Sequence, residues 1–400
     1  MLPRRLQGRA GRNFLLVTLG ALTAFAPMAT DLYLPAFPNI ANSLGVDIPT
    51  VQVTLAASFA GLGAGQILYG PLSDRYGRRR PLIAGLVLFI LASIGCAFST
   101  TLPMLTSMRL LQALGGCAGL VIARAIVRDC YTGAAMARTM SLMTMVFALA
   151  PLIAPSVGAA IIGVAMWPWL FILLAAFGAV CLILVLFVPE THPAEMRTAD
   201  GFIGSLKTYK LLMQNGKFLM PALISGFGSM TLFAYISSSP AVLMGSYGLS
   251  AQQFAFAFGG ISVGIVLGSQ INIFLLRRRS VNSLLRTFLG IQFTAALVLV
   301  ALTLAGAPVI AVIICLSLIV ACFSGGAANS ITEALRPFPE SAGSAAALIG
   351  VLQFGLGALI ATVLGQLPGS PPLLMSIAIV IASAGGFAVS RNRRMANSDR

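Results

Sequence analysis

Asp31 and Arg109 stand inside long apolar runs, FAPMATDLYLPAF at 25–37 and LPMLTSMRLLQALGGCAG at 102–119. An ionisable group at the centre of an apolar helix costs about 2.5–3.5 kcal/mol, so such a group faces a partner or a water-filled cavity and points to function. Desolvation and a neighbouring guanidinium act on a carboxylate in opposite directions. A carboxylate balanced between them can take up and release protons. Neutral Asp31 costs little when a cavity closes, whereas charged Asp31 favours a wet or cation-filled one, and that coupling is what an exchanger needs. The other reading is a static Asp31–Arg109 pair holding two helices together. For Arg109 a structural hydrogen-bonding role remains open beside a functional one. Asp31 lies six residues before Phe37 and Arg109 six residues after Pro103, so at 1.5 Å per residue each is about 9 Å from the outer end of its run. At one depth, the two charges can pair or share one aqueous cavity.

The elements that carry them are helices in a bilayer. The 400 residues are 58% hydrophobic and 9% charged, against roughly 25% charged in a soluble domain. The chain reads as an all-α integral membrane protein. Runs of about 20 apolar residues fall near 13–36, 51–72, 81–100, 103–125, 138–162, 168–189, 217–240, 252–276, 285–306, 308–330, 342–366 and 371–390, which makes twelve spans. The breaks at Gly306–Pro308 and Leu367–Pro371 are the shortest. Arg4, Arg5, Arg9 and Arg12 precede a first run too long for a signal peptide, so that run reads as an uncleaved span.

The net charge of +15 is distributed as short clusters between spans, which speaks for the bilayer and against nucleic acid. With both termini cytoplasmic, the inner connections hold Arg75, Arg78, Arg79 and Arg80, then Arg124, Arg128 and Arg138, then Arg197, Lys207, Lys210 and Lys217, then Arg277–Arg279 and Arg286, then Arg336. The tails hold the rest, the outer loops hold none, and Arg109 alone lies within a span. This is the positive-inside pattern. The polar stretch 190–216 divides the chain into a six-span half at 1–189 and another at 217–400. Many secondary transporters are built from such halves, with the substrate site near the midplane. No GxxxxGK[ST] is present, so no built-in ATP motor is expected. The six cysteines lack metal or disulfide spacing and read as small packing residues. No metal site or cofactor is expected.

Between spans two and three the chain reads GPLSDRYGRRRP. This resembles the signature loop of the major facilitator superfamily, through Gly70, Leu72, Asp74, Arg75, Gly77, Arg78 and Arg79. Gly70 is expected to permit close helix approach and Gly77 a tight turn. In the family this loop is a cytoplasmic gating latch, a role the resemblance carries to Asp74 and Arg75, with Arg78 in the same charge group. LLRRRSVNSLLR in the second half keeps the basic run without the Gly and Asp. Span four, with Arg109, Gln112, Gly115 and Gly116, resembles another superfamily motif. ALAPLIAPSVGAAIIG at 148–163 resembles the packing motif of drug/proton antiporters through Pro155 and Gly158, with Pro151 alongside, although Ala154 and Ala159 stand where glycines are usual. ATDLYLPAFPNIA, RLLQALGGCAGLVIARAIVRD and ALRPFPESAGSAAALIGVLQ together look like the bicyclomycin/chloramphenicol-resistance (Bcr/CflA) branch.

The resemblance covers nearly the whole chain. It implies a twelve-helix, proton-coupled exporter of small, largely apolar drugs in a bacterial inner membrane. It also implies that Asp31 is the proton and substrate site. The partners expected are drugs, protons and lipid, with a monomeric chain. Two other transport readings stay open, proton-linked transport of one metabolite, such as a nucleoside or amino acid, and facilitated carriage without proton coupling; an enzyme would need a cluster of reactive groups in the spans. Further cavity candidates are Tyr33, Gln112, Phe233, Tyr235, Asn329 and Gln353, although interhelical hydrogen bonding is the commoner use of such amides. Trp167 and Trp169 read as an interfacial belt. Arg128 and Asp129 read as a cytoplasmic-face pair, and Glu333 and Glu340 as solvated.

Overall fold

The computed structural model describes residues 8–193, 195, 197 and 201–391, and within them all side chains except those of residues 9, 137 and 201–206. The charges of Arg4, Arg5, Arg9, Arg393, Arg394 and Arg400 therefore lie outside what is described. Every regular element among the described residues is helical. In chain order these are α1 (Arg9–Thr23), α2 (Phe25–Asp31), a 3-10 turn (Leu34–Ala36), α3 (Phe37–Leu44), α4 (Ile48–Tyr76), α5 (Arg79–Ala97), α6 (Leu102–Cys130), α7 (Gly133–Ile162) and α8 (Pro168–Phe187). Then come α9 (Gly201–Gln214), α10 (Gly216–Ser239), a π-helical turn (Pro240–Ser246), α11 (Ala251–Leu275), α12 (Val281–Leu304), α13 (Val309–Leu335), α14 (Ala342–Gln366) and α15 (Pro371–Ser390).

Twelve of the described segments are long and apolar enough to cross a membrane, as the hydropathy pattern requires. Two of them, and one connection between them, differ from expectation in detail. The first runs from Ala10 to Leu44, past Phe37, and is broken into α1, α2, a 3-10 turn and α3. The fourth span, α6, runs on to Cys130, which adds Arg124 and Arg128 to it. The 190–216 stretch, read as a loop, contains α9.

Local chemistry accounts for the boundaries. Pro103, Pro168 and Pro371 open their helices, where a missing N–H costs nothing. Ser250 and Gln253 form a reciprocal capping box at the start of α11 (3.2 and 2.9 Å). Gly306, at φ +62°, turns the chain between α12 and α13.

The chain divides into two compact units, Met1–Leu34 with Ala57–Leu206 and Pro35–Ala56 with Lys207–Arg400. In the first, α1 and α2 pack on α6 and α7, α1 also meets α8, and α5 packs on α6 and α8. In the second, α10 packs on α13, α14 and α15, and α12 packs on α13 and α15. The same pairing of first with fourth, fifth and sixth spans, and of third with fourth and sixth, thus occurs twice. That is a repeat in packing which the sequence preserves only in a basic run.

Candidate functional site

Two prolines cut the first span. Pro27 stands four residues after Thr23 and Pro35 four residues after Asp31. A proline offers no N–H to the carbonyl four residues back, and its ring crowds that carbonyl. Accordingly α1 ends at Thr23 and α2 ends at Asp31. Asp31 is 2% exposed. Its Oδ1 accepts from the Thr30 hydroxyl at 3.1 Å. That hydroxyl also lies 2.9 Å from the Ala26 carbonyl and 3.2 Å from that of Pro27. One hydroxyl proton thus serves three acceptors. The carboxylate has no ion pair among the described residues.

Arg109 is fully buried and does not pair with Asp31. Its Nη1 donates to Gln112 Oε1, one helical turn on. Gln112 Nε2 in turn donates to Ser93 Oγ on α5 at 2.7 Å. The guanidinium carbon sits 4.3 Å from the centre of the Tyr33 ring and 5.8 Å from that of Phe171. The cation is therefore held by an amide and by ring faces, whose π-density attracts it. Arg109 and Gln112 line a small cavity with Thr30 and Ser58, and about 10 Å³ of it is open to the centre of a water-sized sphere. That is room for about one water. Phe171, Ser93 and Thr30 belong to this group although sequence reasoning passed over them, because a phenylalanine, a serine and a threonine in apolar runs carry no signal of their own.

The signature loop forms a second polar centre. Gly77 adopts φ +85°, which lets α4 turn into α5. Arg78 is the hub. Its Nε and Nη2 donate to the two Asp129 oxygens at 2.8 and 3.3 Å, and its Nη1 donates to Ser73 Oγ at 2.9 Å and to Asp74. Burial would lower the Arg78 pKa, but the bonds to Asp129 and Asp74 outweigh it and hold the value above its ordinary level. Asp129 therefore pairs with Arg78, and not with Arg128 as expected: it projects from α6 toward the loop, while Arg128 is exposed.

Glu190, just beyond α8, accepts the backbone N–H groups of Arg78 (2.9 Å) and Arg79 (3.1 Å) where α5 begins. It also accepts those of Thr191 and His192, each at 3.0 Å. A helix start carries free donors and partial positive charge, so a carboxylate fits there. The sequence placed Glu190 in a polar stretch; its position next to the end of a span was the available clue. Arg75 is exposed and lies 5.4 Å from the Tyr76 ring centre. A Cβ at Gly70 meets nothing within 4 Å, so close helix approach is not what that position provides.

In the second unit, Asn329 and Asn272 exchange amide hydrogen bonds (2.8 and 3.2 Å) between α13 and α11. Gln353 donates to Ser225 on α10 at 2.8 Å. Phe233 stacks on Phe354 (5.6 Å) and Tyr235 on Phe258 (5.4 Å). These four are placed as helix-to-helix contacts. In α7, Pro155 and Gly158 are buried and Pro151 half-buried, on the helix that meets α1 and α2. Trp169 is exposed but Trp167 is buried, edge-on to Phe171. Glu333 is not freely solvated: its side chain is 10% exposed and lies 3.9 Å from Arg336.

Residues 19–362 match the family model described as Major Facilitator Superfamily. The chain belongs to that superfamily. It is 34% identical over 390 residues to the uncharacterized MFS-type transporter YdgK of Bacillus subtilis, covering 95% of this chain and 96% of that one. It is 29% identical over 383 residues to the bicyclomycin resistance protein homolog of Haemophilus influenzae, covering 94% and 96%. The crystal structure of a D-xylose–proton symporter aligns with a TM-score of 0.76 at 16% identity, covering 95% of this chain and 98% of that one, and shares its fold. The resemblance to the Bcr/CflA branch is thus borne out, and the protein is a multi-pass membrane transporter of the superfamily.

Proposed function

We propose that this transporter is a proton-coupled antiporter that exports small, largely apolar drugs of the bicyclomycin or chloramphenicol kind across a bacterial inner membrane, with both termini cytoplasmic. The supporting observation is Asp31: a buried carboxylate at the broken end of a membrane-embedded helix, without a cationic partner among the described residues, and sharing one hydroxyl proton with two carbonyls. A charge left in that state is costly. Binding a proton or a cargo group removes the cost, so proton and drug compete for one position. By alternating access, protonation on the outer side releases drug, and loss of the proton to the cytoplasm readmits it. The proton gradient drives the cycle without a cofactor, and a single chain suffices. Arg109 is already held by Gln112, Tyr33 and Phe171 and does not neutralise this position.

The test is drug uptake into proteoliposomes under an imposed pH gradient, with proton movement followed by an entrapped dye. Drug and proton are expected to move in opposite directions, and Asp31→Asn is expected to abolish both movements. Drug-linked proton flux that persists undiminished in Asp31→Asn would overturn the assignment.

A further inference from the structure

Helices α12 and α13 enclose a long groove of about 760 Å³ on the second unit. Its floor is the point where the two helices touch, marked by the Cys315 thiol donating to the Ala295 carbonyl at 3.2 Å. Exposed Ile291, Val298, Ile314 and Leu318 form the walls. Small residues at Gly290, Thr294 and Ala311 leave the space between them. Both helices are of membrane-spanning length and composition. One charged residue lines the groove, Arg286, at one end.

Arg286 lies five residues into α12, about 7.5 Å along its axis. The helix has 24 residues, about 36 Å against a hydrocarbon core of about 30 Å. From that depth an arginine side chain is long enough to carry its guanidinium to the headgroup level with its stem along the apolar wall. It makes no ion pair among the described residues. Exposed Arg277, Arg278 and Arg279, in the connection leading into α12, add three positive charges at the same end. From Arg286 to Leu302 the groove extends sixteen residues, about 24 Å, longer than the roughly 15 Å of one leaflet's hydrocarbon. It is therefore deep enough to take an acyl chain whole.

We propose that this groove is a binding site for an anionic phospholipid, with one acyl chain between α12 and α13 and the headgroup phosphate on Arg286. Charge complementarity selects the occupant. An apolar channel alone accepts any lipid tail, whereas a guanidinium at its mouth with three more behind it favours a net-negative headgroup.

The purified full-length chain, in detergent, is titrated with phosphatidylglycerol or with phosphatidylcholine of the same acyl composition, and bound lipid is read by native mass spectrometry. Retention of phosphatidylglycerol over phosphatidylcholine is expected. Arg286→Gln should weaken phosphatidylglycerol binding about fivefold, the effect of one basic residue at a lipid surface, and remove most of the preference. Thr294→Trp, which fills the groove at an exposed position, should reduce retention of both lipids, while Arg277→Gln should have the smaller effect. Thr287→Trp serves as a second filling variant if Thr294→Trp does not yield folded protein. Equal retention of the two lipids by the unaltered chain, or unchanged retention in the filled variants, overturns the proposal. So does a dimer that the filled variants abolish while lipid binding persists, an outcome that would assign the groove to a second copy of the chain.

Discussion

Glu190 accepts the backbone N–H of Arg78 at 2.9 Å, although the two lie 112 residues apart in sequence. Through that bond and its companion to Arg79, the segment after the sixth span caps the helix that opens the third. The Arg78 side chain carries the connection on to Asp129 of the fourth span and Asp74 of the second. Four of the six spans of one half thereby meet in one charge cluster.

Removing the cap tests this arrangement. Glu190→Ala leaves several backbone donors without their acceptor, and hydrogen bonds to a charged group are worth about 1.5–3 kcal/mol each at most. A net loss of about 2 kcal/mol is expected, read as a lower unfolding temperature of the purified protein. Glu190→Gln keeps an acceptor without the charge and should lose about half as much. Equal stability of all three proteins would show that the cap contributes nothing.

Within the cluster the two aspartates are unequal. The Asp129 side chain is 16% exposed and that of Asp74 47%, so solvent screens the second pair more. Asp129→Asn should destabilise by about 2 kcal/mol or more, because it removes the partner of a buried cation, and Asp74→Asn by under 1 kcal/mol. The pH dependence follows from Arg78. Its pKa is raised above the ordinary arginine value, so its contribution is complete below that value and is lost only as pH rises through the folded pKa, in strong alkali. The difference in stability between the native chain and Arg78→Gln should show no arginine titration from about pH 5 to about pH 9. A decline of that difference across neutral pH would contradict the arrangement.

Glycine at 77 and glycine at 70 should behave oppositely. Gly77 has a left-handed backbone, and a Cβ there would lie 2.5 Å from Glu190 Oε2 and 2.9 Å from Arg197 Nη2. Gly77→Ala therefore combines backbone strain with displacement of the cap, and about 2 kcal/mol of destabilisation is expected. Gly70 is helical and open to its surroundings, so Gly70→Ala should be neutral or stabilising by up to about 1 kcal/mol. Paired thermal denaturation of the two variants decides.

The spans were legible because each is a local property: about twenty apolar residues, bounded at the start by a proline in α6, α8 and α15 and by a capping serine in α11 and α12. Even the short breaks at Gly306–Pro308 and Leu367–Pro371 appear between α12 and α13 and between α14 and α15. What hydropathy could not supply was the partner of each polar group. Asp129 adjoins Arg128 in sequence, yet on a helix neighbours i and i+1 point apart, and Arg78 reaches Asp129 from another helix. The broken first span was overlooked for a related reason. Hydropathy passes smoothly over Pro27 and Pro35, while their effect is exerted four residues earlier, on Thr23 and Asp31.

The Asn272–Asn329 pair offers a direct measure of buried polar packing in the second unit. Each amide donates to the other, so removing one strands its partner. Asn329→Leu alone should cost about 1–2 kcal/mol, whereas Asn272→Leu with Asn329→Leu should cost less than the sum of the single changes. A double-mutant cycle on unfolding in mild detergent reads the difference, and strict additivity would mean that the two amides do not interact.

The most consequential relation is one the geometry denies. Asp31 and Arg109 are opposite charges in one unit, yet Arg109 is held by Gln112 and by the Tyr33 and Phe171 rings, and Asp31 by Thr30. Were they a buried ion pair, neutralising either alone would cost about 3–5 kcal/mol and neutralising both would recover most of it. As separate groups they should give no such rescue: Asp31→Asn should change stability by the same amount in the Arg109→Gln background as in the native chain. The functional readouts should separate as well. Asp31→Asn is expected to abolish drug-linked proton movement with little loss of stability, since a neutral amide replaces an uncompensated charge. Arg109→Gln, and more mildly Tyr33→Leu, should lower stability by about 1–2 kcal/mol through the lost cation–ring contact and slow transport without uncoupling it. Full recovery of stability in the double variant would place the two charges in contact and return Asp31 to a structural role.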